Sequence, residues 1–584
     1  MLLHVCTGMW PCACVCAHMR LTRLMCVSIH FRACVCVRVS DVHTLVSLVC
    51  VEMSGVFSLS EVASHKTKSD LWIVIDGVVY DVSKFAKVHP GGSGVLEAFG
   101  GKDVTSEFYD FHARDILEKY GPKLRIGLVE GASEDTVDRR MELDLCTPFA
   151  ESAAFRGWKS PYYTAAHLRV KLAARRVCVE LNKMCEGVAE ANEDPSAEVF
   201  AFLGRTGWLA ARMGPSVVPI AKLLVDSGKM SLPGNIAPNE VDYFTRYIAN
   251  NEFYAGIANG LSDGLCAGLN IGLPPILYFG NSAQKEKFAP PVLLGEKRIC
   301  LAISEPGGGS DVAGMTTVAV LNEAKTHYIV NGIKKWITGG TAADVFVTAV
   351  RTGKPGHGGL SFLVIERGPG LTTSRIKTSY SGSAGTALVI YENVLVPREN
   401  LLGVENNAFK MIMANFNHER WLIVHSMLGP MRKIVSDCYK WSMGRKAFGK
   451  RLIDQPVIRY KLAEMSAAVE SLDAWAESIT FQMGKMSFVK QTSELAAPIA
   501  LLKFQTTRAC VMIADHACQI FGGRAVTKTG MGKRVEEFQR GYKIVAIYGG
   551  SEEIMADVAV RTSVAHLEAL IAKGDKNAIA MSRL

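Results

Sequence analysis

A chain of 584 residues exceeds what one hydrophobic core normally organises and should divide into several domains. Apolar residues make up 49% and charged residues 21%, an ordinary globular balance. The net charge of +9 comes without a dense Lys/Arg run, which argues against a nucleic-acid partner. No run of about eighteen uncharged apolar residues occurs, so no membrane span is expected.

Eight of the sixteen cysteines (Cys6, Cys12, Cys14, Cys16, Cys26, Cys34, Cys36 and Cys50) precede Met53. Residues 1–52 alternate Val and Cys, as an in-frame GTGTGT repeat would encode, and lack capping or turn patterns. They read as a non-native or disordered leader, with Met53 as the start. A targeting presequence, which Arg20, Arg23, Arg32 and Arg38 allow, and a metal-binding arm are the alternatives. The other cysteines are scattered, which suits a reducing compartment.

Residues 71–82 (LWIVIDGVVYDV) predict two strands joined at Asp76-Gly77. His89-Pro90-Gly91-Gly92 follows, and His112 comes twenty-three residues after His89, with short helical stretches at 94–99 and 104–111 between them. One loop histidine is usually structural; two flanking a short helical pair are more telling. The segment resembles cytochrome b5 over about 54–132, giving a domain at 53–132. The resemblance implies haem b clamped between two neutral imidazoles, His89 and His112. Bis-histidine ligation leaves no open iron position, which fits one-electron transfer and not oxygen activation. A degenerate domain without haem is the alternative.

Residues 133–150 lose apolar periodicity and read as a linker. From 151 to 298 apolar residues recur at helical spacing, broken at Gly214-Pro215 and Pro274-Pro275. A β-domain at 299–404 opens with Ile303-Ser304-Glu305-Pro306-Gly307-Gly308-Gly309-Ser310, whose glycines let a backbone approach a flat ligand or phosphate closely. In the next β-rich run, Asn331-Gly332 predicts a hairpin turn that places Trp336 and Thr338 on one strand face. Helical spacing returns over 405–571, before a tail at 572–584. The fold class is multidomain α+β.

The Ser-Glu-Pro loop and the Trp336-Ile337-Thr338 strand resemble the flavin-binding β-domain of acyl-CoA dehydrogenases. The α–β–α order extends that resemblance over about 151–570. It implies FAD, with Ile303, Ser304, Gly309, Ser310, Trp336, Ile337 and Thr338 along the flavin. Arg445, Phe448 and Gln455 resemble the segment that reaches a neighbouring subunit's FAD. Gln519 and the Gly522-Gly523 turn resemble the part that receives it, and Ser551 and Glu553 are further cofactor candidates. The family's inter-subunit contacts imply a homodimer or homotetramer. Its usual electron acceptor is electron-transferring flavoprotein.

Acyl-CoA dehydrogenation needs a desolvated carboxylate beside the substrate α-carbon. Many members carry it in a Tyr-Glu-Gly-Thr loop near the C-terminus, but here the matching loop reads Tyr548-Gly549-Gly550-Ser551. Phe409, Ile412, Met413 and Phe416 form an apolar stripe at helical spacing, expected to be buried, which continues into Glu419 and Arg420. The long-chain and isovaleryl branches place their base on this helix, before an arginine, and lack the loop glutamate. The resemblance therefore makes Glu419 the base. Ser310, Asn417, Arg420, Gly549 and Gly550 are the substrate-binding candidates. A buried Glu–Arg ion pair is the structural alternative. An oxidase, or a haem-bearing electron-transfer or scaffold protein on an inactive dehydrogenase body, are the functional ones; an aspartate would be the expected base of a nitroalkane oxidiser.

Two further expectations concern context. A tethered haem domain could accept electrons from the flavin. The chain ends Ser582-Arg583-Leu584, a conservative variant of the Ser-Lys-Leu peroxisomal signal, so a peroxisome-like microbody is expected, with the mitochondrion as alternative.

Overall fold

The computed structural model describes residues 55–105, 107, 108, 112, 114–132 and 147–572. The leader at 1–52, half of the 104–111 stretch, most of the linker and the Ser-Arg-Leu tail lie outside the described residues. The chain packs as two compact units. One takes residues up to 104 together with 120–133; the other takes 105–119 and everything from 134 onward.

The first unit is built on a five-stranded sheet in the order Gly55–Phe57, Arg125–Val129, Val78–Asp81, Asp70–Ile75, Lys66–Thr67. Asp76 and Gly77 both have positive φ (57° and 76°), the two-residue turn that the dipeptide predicts. Val62, Val74 and Val79 form its small core, with Phe57 and Trp72 packed against them.

The second unit has a helical part, an eight-stranded sheet and a second helical part. The sheet runs Leu371–Arg375, Ala387–Pro397, His327–Ile337, Val318–Leu321, Val345–Arg351, Leu360–Glu366, Leu401–Leu402, with Ile299–Ala302 parallel to Val345–Arg351. Its central strands are apolar on both faces. Val345, Val347, Ala349, Phe362 and Val364 join the core of the helices, while Phe346, Val350, Leu363 and Ile365 pack with Val389 and Tyr391 on the other side. A side-chain period of two divides them.

Two expectations fail here. Pro274-Pro275 does not break the chain but lies inside the helix Asn259–Phe279. A proline at 275 removes the donor for the carbonyl of Ile271, and Asn415 Nδ2 donates to that carbonyl at 3.0 Å instead. Asn331-Gly332 makes no hairpin, because His327–Ile337 is one continuous strand paired on both edges. The dipeptide forms an irregularity. Gly332 has φ +149°, a Cβ there would meet Thr317 at 2.6 Å, and the Asn331 side chain accepts from the backbone N–H of Asn393 at 2.8 Å.

The second helical part contains Ala408–Gly444, Pro456–Lys485, Ala496–Phe521, Lys533–Ile547 and Glu552–Ala572. Among the described residues no helix is long and apolar enough to cross a membrane.

Candidate active site

In the first unit His89 Nδ1 lies 3.1 Å from the carbonyl oxygen of Gly92. A carbonyl only accepts, so Nδ1 carries the proton and Nε2 is the ligand-competent nitrogen. The two glycines have separate reasons. A Cβ at position 91 would stand 2.9 Å from the imidazole, and Gly92 has φ +84°. The following helix, Ser93–Phe99, has no buried residue despite Val95, Leu96 and Phe99, and Val88 is 70% exposed. Such an apolar strip is what a porphyrin face would cover. In the stretch carrying His112, its backbone N–H donates to Phe108 O at 2.8 Å and the two rings are 5.0 Å apart.

In the second unit the helix Ala408–Gly444 presents Glu419, 8% exposed, and Arg420, 6% exposed. Phe409, Met413 and Phe416 are only half-buried, unlike Ile412. The stripe expected to be buried thus packs at the margin of the core, only partly covered for most of its length. The loop Tyr548–Gly550 lies against the carboxyl: a Cβ on Gly549 would be 3.6 Å from Glu419 Oε1. Arg420 does not pair with Glu419. Its Nε donates to Gly549 O at 3.0 Å and Nη1 to Asn417 Oδ1 at 2.9 Å. Lys503, fully buried, donates to Tyr548 O at 2.7 Å and also to Gly550 O. Glu419 Oε2 is buried with no hydrogen-bond partner among the described residues. Burial raises this carboxyl to about 7, against the opposing pull of Arg420 and Lys503. From the ordinary 4.5 that is, at 1.4 kcal/mol per pH unit, on the order of 3 kcal/mol against the ionised form. Burial also lowers Lys503 to about 8, with Glu419 opposing.

The glycine-rich loop is held by an ion pair on the sheet. Burial alone would raise Glu305, but Lys334 Nζ at 2.8 Å and the backbone N–H groups of Thr316 (2.6 Å) and Thr317 (2.9 Å) hold it down at about 2. Lys334 also donates to Ile303 O at 3.0 Å, and Lys335 N–H to Ser304 O at 2.9 Å. Ile303 and Ile337 are buried, Ser304 and Thr338 half-buried, and Gly309, Ser310 and Trp336 exposed. Elsewhere, Arg445 and Gln455 are half-buried, while Gln519, Gly522 and Gly523 are exposed. Trp441 holds these two segments together: it stacks on Phe521 at 5.5 Å and donates Nε1–H to Ile520 O at 3.1 Å. Ser551, half-buried, accepts weakly from Ile554 N–H at 3.4 Å and caps the last helix, whose first turn holds the exposed Glu553.

These elements match known families in the same order. The cytochrome b5-like heme/steroid binding domain covers 58–130, the middle domain of acyl-CoA dehydrogenases 300–394 and their C-terminal domain 406–563. The acyl-CoA dehydrogenase apdG of Emericella nidulans is 38% identical over 420 residues, 71% of this chain and 95% of its own. The chain belongs to the acyl-CoA dehydrogenase family. The mitochondrial short-chain specific acyl-CoA dehydrogenase of Rattus norvegicus is 32% identical over 333 residues, 56% of this chain and 77% of its own. An acyl-CoA dehydrogenase from Bacillus anthracis, solved with FAD, shares the fold with a TM-score of 0.63 at 24% identity, covering 73% of this chain and 70% of that one. The protein is therefore an oxidoreductase of a FAD-binding family with a haem-binding type of domain ahead of it.

The residues of this dehydrogenase fit such a dinucleotide. A Cβ on Gly307, Gly309, Gly522 or Gly523 would meet nothing within 4 Å, so both turns border open space. Trp336 is 54% exposed with φ +68°, and Phe448, at a hairpin with φ +53°, is 97% exposed. Large aromatics held outward by positive φ in non-glycine residues are costly in a single chain. Ile303, Ser304, Trp336 and Thr338 would hold the ring system; Gln519, Gly522, Gly523 and the Arg445–Gln455 segment would hold the remainder.

Behind Glu419 lies a buried polar group of residues that sequence reasoning missed. Arg246, fully buried, donates Nη1–H to Met213 O at 3.0 Å and contacts His418 Nε2. Arg212, also fully buried, lies 4.1 Å over the Phe253 ring and 5.3 Å over Tyr254, whose hydroxyl donates to Asp263 Oδ1 at 3.0 Å. None of the three Arg212 guanidinium nitrogens, and neither Nε nor Nη2 of Arg246, has a hydrogen-bond partner among the described residues. Cation–π contact is worth about 2 kcal/mol when desolvated, whereas burying an uncompensated charge costs several. The rings do not offset the burial. Neither arginine carries a local sequence signal, because each sits in an otherwise helical segment where a lone Arg usually faces solvent.

Proposed function

We propose that this protein oxidises an acyl-CoA thioester to the trans-2-enoyl-CoA, with Glu419 removing the α-proton. One observation carries the reading: a buried carboxyl, without an ion-pair partner among the described residues, lies against the backbone of the loop whose glutamate it would replace. Desolvation makes the ionised form a stronger base, and a pKa near 7 keeps it available at neutral pH. Arg420 and Lys503 keep the Tyr548–Gly550 backbone beside it, and Asn417 orients Arg420. Ser310, Asn417, Arg420, Gly549 and Gly550 are the proposed substrate contacts. Bound FAD supplies the acceptor for the β-hydrogen, which leaves as hydride. Bleaching of the flavin by a panel of acyl-CoAs tests the reading; a scaffold with an inactive body would bleach with none of them.

The same reading extends to assembly. Phe448, almost wholly exposed, supports a homodimer or homotetramer in which the Arg445–Gln455 segment reaches a neighbouring subunit's cofactor. Phe448→Asp is expected to lower FAD content at least several-fold and to shift the assembly toward smaller species in light scattering. Unchanged mass and flavin content would count against it.

His89 and His112 are the proposed haem ligands. The covalent fusion supports the haem domain as an electron acceptor for the dehydrogenase, because tethering raises effective concentration without new contacts. Electron-transferring flavoprotein is the competing acceptor. Anaerobic mixing with acyl-CoA is expected to raise the ferrous haem spectrum within the turnover time; a haem that stays ferric for many turnovers excludes the direct route.

The Ser582-Arg583-Leu584 terminus supports a peroxisome-like microbody as the address. A fluorescent fusion placed ahead of residue 53 is expected to give puncta that disperse when the tripeptide is deleted. Puncta that survive the deletion, or mitochondrial labelling, would contradict it.

A further inference from the structure

The paired arginines behind the base have no role in removing an α-proton, and a hydrocarbon chain would leave them as they stand. We infer that the acyl group carries a hydrogen-bond-accepting oxygen, as carboxylate or ketone, beyond its β-carbon, and that Arg212 and Arg246 receive it. The inference rests on the acyl-CoA reading of the site and names the substrate class within it.

Two buried paths connect these arginines to Glu419. On one, Arg246 reaches from the helix Tyr243–Gly256 to His418, the residue before Glu419. Its other contact, Met213 O, is the backbone of the residue after Arg212. On the second, Tyr548, whose loop lies on the Glu419 carboxyl, neighbours Asp263 and the neutral phenol of Tyr254. Tyr254 in turn binds Asp263 and carries Arg212 over its ring. The cluster thus closes on the base from both sides.

Charge and hydrogen bonding are unbalanced within it. Burial lowers Arg246, the Tyr278 and Tyr243 phenols oppose it, and Arg212 adds a smaller lowering. Burial raises Asp263 to about 7, with Tyr254 and Arg212 opposing, and no ion pair joins it to either arginine among the described residues. His418 and His425 are pushed by burial, then by Arg246, toward their neutral forms, so neither balances nor adds charge. Five guanidinium nitrogens remain without acceptors. An oxygen on the acyl chain satisfies what the protein leaves unsatisfied. A site built to hydrogen-bond a substrate group discriminates strongly against the analogue that lacks it.

The test uses FAD-loaded full-length protein and three thioesters of matched length, hexanoyl-CoA, adipoyl-CoA and 5-oxohexanoyl-CoA, repeated at ten carbons. Anaerobic flavin reduction gives kcat/KM for each. Affinity is read separately by calorimetry in a Glu419→Gln background, where flavin reduction is slow beside binding. The expected result is a preference of about 100-fold for an oxygenated thioester over the alkyl one. The preferred partner identifies the oxygen as carboxylate or ketone. Arg212→Met should compress that preference to about threefold in both assays, and Arg212→Lys, which keeps the cation should the methionine variant not fold, should leave it intermediate. An alkyl thioester that binds and reacts as well as the oxygenated ones overturns the inference while leaving the acyl-CoA reading intact. So does a preference that survives Arg212→Met. Failure of all three thioesters to bind overturns both.

Discussion

Glu419→Gln is expected to slow flavin reduction by acyl-CoA at least about 10³-fold while FAD stays bound, since a positioned general base contributes about 10²–10⁴-fold and this one has no substitute in the Gly549 loop. Two pH signatures should accompany it. The wild-type reduction rate should rise with pH through about 7, where the carboxyl ionises, and that rise should be absent from the residual rate of the variant. The stability sign is opposite to that of a salt-bridged carboxylate. With its folded pKa above the unfolded one, Glu419 destabilises the fold when ionised; this penalty is full above about 7 and vanishes below the ordinary 4.5. The glutamine variant should therefore melt higher than wild type at pH 8, with the gap closing at acid pH. A variant that reduces flavin at near wild-type rate removes Glu419 from the mechanism.

Loss of either proposed haem ligand should be almost complete. His89→Ala or His112→Ala is expected to reduce haem content from about one per chain to less than about a tenth, because a bis-histidine site with one imidazole no longer clamps the iron. Flavin content should stay unchanged in both, and the pyridine haemochrome assay together with the flavin spectrum reads the two separately. Gly92→Ala is a milder probe: its φ of +84° disfavours a side chain, and the carbonyl it moves is the one that orients His89. Full haem occupancy in both histidine variants would remove His89 and His112 as the ligands.

How much of this was legible in the sequence depended on the range of the interactions involved. Asp76-Gly77 is legible because a two-residue turn is decided by its own φ angles. Asn331-Gly332, the same kind of signal, misled because strands on both edges hold the segment extended, a fact that resides at Thr317 and Asn393. Pro274-Pro275 misled for a similar reason: the carbonyl it orphans is satisfied by Asn415, on a different helix. Glu419 and Arg420 could be found from helical phase, but not that Arg420 turns to the Gly549 carbonyl and away from its neighbour. Glu305 was visible as part of a motif, yet its work is structural, pinning the loop to the buried Lys334. Lys503, Arg212, Arg246 and Asp263 carried no local signal. Their burial is set by helices that meet only in the folded chain.

The most direct measurement of the central claim is rapid mixing of the FAD-loaded wild-type protein with acyl-CoA in the absence of oxygen. The proposed chemistry predicts loss of the oxidised-flavin absorbance with formation of one trans-2-enoyl-CoA per flavin reduced. Flavin that remains oxidised with every acyl-CoA bound, or that is reduced without an enoyl product, would contradict it.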